Sequence, residues 1–86
     1  MSMTRTEVRA KVIAYFAWRF GAPASEFTND TKVRRRFSAA AWAGLADVFN
    51  NTTWMEDLGV KLKRSDMKDL KTIGGLVDAI AKKASI

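Results

Sequence analysis

The chain has 86 residues, which is the length of one small domain, and we therefore treat 1–86 as a single folded unit. It contains neither cysteine nor histidine, so disulfides, thiolate chemistry and the commonest metal ligand and general base are excluded, and we expect neither an enzyme nor a metal site. The formal net charge of +6 favours acidic partners such as acidic proteins, nucleic acids or anionic surfaces.

No apolar run approaches the roughly 20 residues that a bilayer span requires. The apolar stretch near the N-terminus is interrupted by four charged residues, which are Arg5, Glu7, Arg9 and Lys11, and this is not the pattern of a secretory signal. We therefore expect a cytoplasmic protein without a membrane span.

The first predicted helix begins at a capping box, in which Thr4 and Glu7 can each bond the other's backbone amide. Apolar residues then recur at helical spacing: Val8, Val12, Ile13, Phe16, Ala17 and Phe20. Gly21 is the expected helix stop. Tyr15 and Trp18 lie off this apolar stripe, so the pattern predicts that both are partly exposed.

The segment 22–37 is rich in turn-forming residues and carries two isolated apolar anchors, Phe27 and Val33, which predict a long loop packed against the domain. Ser38 is a favourable N-cap for a second helix. The predicted inner face of that helix comprises Trp42, Leu45, Val48 and Phe49.

The polar run 50–53 interrupts the second helix, and Thr53 and Glu56 form a second capping box for a short turn that Gly59 ends. Ser65 begins another short helix. Thr72 caps the last helix, whose predicted inner face comprises Ile73, Leu76, Val77 and Ile80. The chain is therefore predicted to be all-α, a small four-helix bundle with a long first loop and a short third helix.

Three features match a known layout. The segment 26–33 is a polar turn followed by the apolar Val33, Phe37 follows four residues later, and 70–80 pairs Thr72 and Ile73 ahead of an amphipathic helix. With the order of the helices, these features resemble the acyl carrier protein family over nearly the whole chain, from Thr4 to Lys83.

The resemblance implies a 4′-phosphopantetheine arm on the serine of an Asp-Ser-Leu motif, and this sequence departs from that motif. Ala41 stands at the place of the serine, between Ala40 and Trp42, and a side chain without a hydroxyl cannot be esterified. The family's second helix is also acidic, whereas here Asp47 is the single acidic residue on it. The expected cofactor is therefore none.

Our first interpretation is a carrier-like binding module without a prosthetic group. It offers the region around 34–42 to an acidic partner protein, and its candidate contact residues are Arg34, Arg35, Arg36, Trp42, Tyr15 and Trp18. The helical spacing of Trp42 also favours a place in the core.

Two alternatives remain open. In the first, Ser38 carries the phosphopantetheine arm at a helix N-terminus and the protein is a working acyl or aminoacyl carrier. In the second, the basic chain is a small nucleic-acid-binding protein that contacts the phosphate backbone through Arg34, Arg35 and Arg36 without sequence choice.

Overall fold

The computed structural model describes residues 3–86, which form five α-helices and two short 3-10 turns without any strand. The α-helices are α1 (Arg5–Phe20), α2 (Ala39–Asn50), α3 (Thr53–Leu58), α4 (Arg64–Met67) and α5 (Ile73–Lys83), and the 3-10 turns are Ala24–Glu26 and Val33–Arg36. The predicted all-α class is confirmed. The predicted count of four helices is one too low, because the segment after α2 forms a separate helix.

Helix α1 begins and ends where the sequence predicts. The Thr4 hydroxyl accepts a hydrogen bond from the Glu7 amide at 3.2 Å, and the Glu7 carboxylate accepts one from the Thr4 amide at 2.9 Å. These bonds lower the pKa of Glu7 below its usual value. Gly21 ends the helix with a φ of 62°, a left-handed conformation that glycine adopts without strain.

The core lies between two pairs of helices, α1 with α5 and α2 with α4. Its largest fully buried side chains are Trp42, Phe16, Phe49, Met55, Met67, Ile73, Leu76 and Ile80. The indole N–H of Trp42 donates to the Met67 carbonyl oxygen at 2.7 Å, so the polar atom of this buried ring is satisfied. No charged or polar residue among 3–86 is buried.

The predicted inner face of α2 is wrong at one position. Val48 is 42% exposed, and Ala46 is fully buried beside Trp42, Leu45 and Phe49. Six residues at 3.6 per turn place Val48 about 120° around the helix from Trp42, whereas Ala46 lies within about 40° of it. The buried face of α2 therefore includes the small side chain of Ala46 and not the larger side chain of Val48.

The starts of the two short helices also differ from the prediction. The cap of α3 is Thr52, whose hydroxyl accepts from the Met55 amide at 3.3 Å and donates to the Phe49 carbonyl at 2.6 Å. The bond to Phe49 joins the cap residue to the end of α2. The N-cap of α3 is therefore Thr52, one residue before the predicted Thr53. Helix α4 begins at Arg64 rather than at Ser65.

The long connection 22–37 is packed against the domain, as predicted. Val33 is buried, Phe27 is half-buried, and two backbone carbonyls of the loop accept hydrogen bonds from the start of α5. These bonds run from the Ile73 amide to Thr31 at 3.1 Å and from the Gly74 amide to Asn29 at 2.8 Å. The loop thereby satisfies amides that the first turn of a helix leaves without partners.

Candidate functional site

The end of α1 and the second 3-10 turn together form a surface that we call the arginine–aromatic patch. It comprises Tyr15, Trp18, Arg19, Phe20, Arg36 and Phe37, which are linked by contacts, and the exposed Arg35, which adjoins Arg36 in the chain. Trp18 is the most exposed large hydrophobic side chain of the described residues, at 76%. An exposed tryptophan of this kind is a characteristic anchor of protein interfaces.

Two arginines of the patch rest on phenyl rings. The Arg19 guanidinium carbon lies 4.9 Å from the centre of the Phe37 ring, and that of Arg36 lies 4.1 Å from the centre of the Phe20 ring. The two rings contact each other, with their centres 5.7 Å apart. Stacking holds a planar guanidinium in place and leaves its N–H edges free to bind carboxylates or phosphates.

Within residues 3–86, no carboxylate forms an ion pair with an arginine of the patch. Residues 3–86 contain three ion pairs, which are Arg5–Asp78, Arg64–Asp47 and Lys83–Asp66. None of these pairs includes Arg19, Arg35 or Arg36, so these three exposed arginines have no ion-pair partner in the described part of the chain. A positive surface of this kind attracts acidic molecules.

Tyr15 connects Trp18 to the core. Its ring packs edge-on against Phe49 with 5.1 Å between centres, and it lies 6.0 Å from the Trp18 ring. Its hydroxyl accepts a hydrogen bond from Arg19 at 3.3 Å. Tyr15 is half-buried, as the sequence predicted, and it contacts both Trp18 and Arg19.

A second feature, which we call the α2–α4 cleft, opens beside the other end of the arginine run. It has a volume of about 340 Å³ and is lined by Arg34, Ala39, Trp42, Ala43, Arg64, Ser65 and Lys68. Ala39 and Ala43 are four residues apart, so they lie on the same side of α2. Their short side chains leave the space that forms the cleft.

The three basic residues of the cleft differ in their hydrogen bonds and ion pairs. Arg34 donates to the Phe37 carbonyl at 2.9 Å, which fixes its guanidinium at the rim. Arg64 donates twice to one carboxylate oxygen of Asp47, at 2.6 and 3.2 Å, and this bonding raises the pKa of Arg64. Lys68 is in none of the ion pairs of residues 3–86. The rim therefore carries a net positive charge.

Ser38 caps α2, as predicted: its hydroxyl accepts from the Ala41 amide at 3.1 Å. Ser38 and Ala41 are both exposed. The methyl side chain of Ala41 has no hydroxyl that could be esterified. The nearest hydroxyl already serves the helix as a cap.

The structure divides the six predicted contact residues between the two features. Tyr15, Trp18, Arg35 and Arg36 belong to the arginine–aromatic patch, whereas Arg34 and Trp42 line the α2–α4 cleft. The assignment of Trp42 as a contact residue on an open surface is corrected, because its ring is only 2% exposed and is packed between α2 and α4. Its predicted place in the core is confirmed.

Sequence reasoning did not identify Arg19, although the available signal was its position four residues after Tyr15 and directly after Trp18. It also did not identify the cleft. Arg64, Ser65 and Lys68 meet Ala39 and Ala43 only through the packing of α4 on α2. No local pattern in the sequence specifies that packing.

None of the helices in the described part of the chain combines the length and the apolar composition of a membrane span. Within 3–86, no three acidic side chains come together as they would around a metal ion. No family model matches this chain, and the comparisons with curated proteins and with solved structures also find no match.

Proposed function

We propose that this protein is a non-catalytic, acyl-carrier-protein-like helical domain that binds an acidic partner protein through the arginine–aromatic patch. The observation that carries the proposal is the pairing of the exposed Trp18 with Arg19 and Arg36, whose guanidinium groups have no ion-pair partner among residues 3–86. Protein interfaces commonly combine a central aromatic anchor with surrounding charges that complement the partner.

The rigidity of the patch supports binding rather than simple solvation of charge. Arg19 is held by Phe37 and by the Tyr15 hydroxyl, and Arg36 is held by Phe20. A side chain that is already ordered loses less conformational entropy when it binds. The acidic segment of a partner would therefore meet cations that are already in position.

The absence of a hydroxyl at position 41 supports a role that needs no prosthetic group. A carrier delivers substrates through its phosphopantetheine arm, and Ala41 offers no atom to which that arm could be joined. The arginines next to α2 also have the opposite charge to the acidic recognition helix of the carriers that this chain resembles.

The test measures the binding of a fluorescein-labelled, glutamate-rich peptide of about 16 residues by anisotropy. We expect the charge reversal of Arg35→Glu with Arg36→Glu, and separately Trp18→Ala, to weaken binding about tenfold or more. The matched control reverses two exposed lysines away from the patch, Lys61→Glu with Lys82→Glu, and should change binding about twofold or less.

The control variant distinguishes binding at a specific surface from a general attraction between opposite net charges. If the two double variants lose binding equally, only the net charge matters and the patch is not the site. Unchanged binding by the Trp18→Ala protein would remove the aromatic anchor from the proposal. Circular dichroism of each variant confirms that the helices are intact.

One observation favours a second candidate, a protein that binds single-stranded nucleic acid. Trp18 is exposed directly beside Arg19, and an aromatic ring beside an arginine is an arrangement on which a base can stack. An unstructured oligonucleotide of about 12 nucleotides, titrated at about 150 mM salt, tests this candidate. Tighter binding than to the acidic peptide, with loss in Trp18→Ala, would replace the first candidate.

Attachment at Ser38 is tested separately by incubation with a phosphopantetheinyl transferase and coenzyme A. We expect the intact mass to remain unchanged, because the hydroxyl caps α2 and the neighbouring residues do not form the attachment motif. A gain of one phosphopantetheine that disappears in Ser38→Ala would show that the protein is a working carrier.

A further inference from the structure

We propose that the α2–α4 cleft is a binding site for a compact organic anion that joins an apolar group, such as an aromatic or branched hydrocarbon, to a single carboxylate. The cleft is separate from the arginine–aromatic patch in the residues that line it, so this proposal does not depend on the proposed function.

The floor of the cleft supplies the apolar part of the site. Trp42, Ala39 and Ala43 line it from α2, and the only polar atom of the Trp42 side chain is already bonded to the Met67 carbonyl. A ligand therefore meets carbon atoms on this side. Removing such a surface from water favours a hydrocarbon group.

The rim supplies the charge. Lys68 and Arg34 both line the cleft; Lys68 has no ion-pair partner among residues 3–86, and Arg34 is fixed by its bond to the Phe37 carbonyl. No carboxylate is among the residues that line the cleft, and of the nearby ones Asp47 pairs with Arg64 and Asp66 with Lys83. Because two cations remain available, one carboxylate can be bound by a guanidinium, an ammonium or both.

The size of the cleft limits the ligand. Its volume of about 340 Å³ is at the lower end of the range of roughly 300–1,000 Å³ that is typical of ligand pockets. One or two fused rings fit in this space. The same volume and the short length of the floor, from Ala39 to Ala43, favour a compact group over a long flexible chain.

The experiment uses three naphthalene probes that share one ring system and differ in charge: 1-naphthoate, 1-naphthalenemethanol and 1-naphthylmethylammonium. Each is titrated into the ¹⁵N-labelled full chain and followed by two-dimensional NMR. We expect 1-naphthoate to bind at least about fivefold more tightly than the alcohol, and the ammonium probe to bind more weakly than either. The largest shifts should occur at the Trp42 indole N–H and at the amides of Ala43, Ser65 and Lys68.

Two kinds of variant locate the site. Ala43→Leu fills the cleft and should weaken 1-naphthoate binding about tenfold, whereas Ala40→Leu, at an exposed position that does not line the cleft, should leave it unchanged. If Ala43→Leu does not fold, Ala39→Leu, at the exposed end of the floor, takes its place. Lys68→Met should reduce the preference for the anion and leave binding of the alcohol unchanged.

The proposal is overturned if the alcohol binds as tightly as 1-naphthoate, if the cleft-filling variant binds normally, or if the shifts cluster around the Trp18 indole instead. The last result would place the probe on the arginine–aromatic patch. Loss of peptide binding in the patch variants together with normal 1-naphthoate binding would keep the two sites distinct.

Discussion

Gly74 lies where the loop after α1 touches the first turn of α5. A methyl group at this position would come within 3.0 Å of both the Asn29 carbonyl oxygen and the Asn29 Cβ, and the Gly74 amide donates to that carbonyl at 2.8 Å. Glycine weakens a helix, but here it allows two backbones to approach. We expect Gly74→Ala to lower the free energy of unfolding by about 1–3 kcal/mol, because the loop must move away.

Gly44 provides the matched control within α2. An added methyl group there meets no atom within 4 Å, and its backbone is helical. Gly44→Ala should therefore raise the free energy of unfolding by up to about 1 kcal/mol through helix propensity alone. Urea denaturation of both variants measures the difference. Equal effects of the two substitutions would contradict the close approach at Gly74.

At the scale of secondary-structure elements, the last residue of α2 holds the connection between α3 and α4. The Asn50 side chain accepts from the Leu62 amide and donates to the Leu62 carbonyl, both at 2.8 Å. Leu62 itself is buried. We expect Asn50→Ala to reduce the free energy of unfolding by about 1–3 kcal/mol, because both Leu62 groups lose their partners.

The neighbouring Asn51 is the control for this prediction. It is exposed, and Asn51→Ala should change stability by less than about 0.5 kcal/mol. Hydrogen exchange at the Leu62 amide gives a local measurement of the same contact. Protection of that amide should fall in Asn50→Ala, and unchanged protection would show that the connection does not depend on Asn50.

A carboxylate joins α4 to α5 and makes this contact sensitive to pH. Asp66 accepts from the Lys63 amide at 2.7 Å and pairs with Lys83 at 3.1 Å, and these bonds, the backbone bond first, lower its pKa below the usual 3.8. The pKa of Asp66 is lower in the folded state than in the unfolded state. Its carboxylate therefore stabilises the fold fully at pH values above the usual pKa, and this stabilisation is lost as the pH falls through the lowered pKa.

We therefore expect Asp66→Asn to destabilise the protein at about pH 7, and the difference from the unsubstituted chain to shrink as the pH falls below 3.8, the usual pKa of the group. Asp69→Asn, at an exposed position, is the control and should change stability by less than about 0.5 kcal/mol. Urea denaturation at several pH values measures both variants. A destabilisation by Asp66→Asn that stays constant with pH would show that the carboxylate charge is not responsible.

The whole chain carries a net charge of +6, and few ion pairs form among its described residues. The three pairs of residues 3–86 all involve solvent-accessible side chains, and pairs of this kind contribute little. Repulsion among the excess cations is then the larger long-range electrostatic effect, and salt screens it. We expect the Tm to rise by about 1–4 °C between about 20 and 500 mM NaCl.

The measurement is thermal unfolding followed by circular dichroism at several NaCl concentrations. A neutral osmolyte such as sorbitol, which does not screen charge, gives the comparison for general solvent effects. A Tm that falls steadily with NaCl would mean that the ion pairs, Arg5–Asp78 among them, outweigh the repulsion.

Most of the long helices were predictable from the sequence because their signals are local. A cap such as Thr4 bonds an amide three residues away, a stop such as Gly21 needs only its own conformation, and an apolar stripe depends on a fixed spacing. The exposed position of Trp18 followed from the same spacing. The all-α class and the packed first loop could therefore be predicted without knowledge of any contact between helices.

Only the tertiary structure decided which residues meet across the fold. Lys68 comes to the rim beside Arg34, and Arg19 comes over Phe37, because helices and turns that are distant in sequence pack together. The exposure of Val48 was decided in the same way, by the direction from which the other helices cover α2. The free energy of hydrophobic burial depends on the apolar area removed from water and not on the order of residues in the chain. A single sequence therefore contains no local pattern that identifies these contacts.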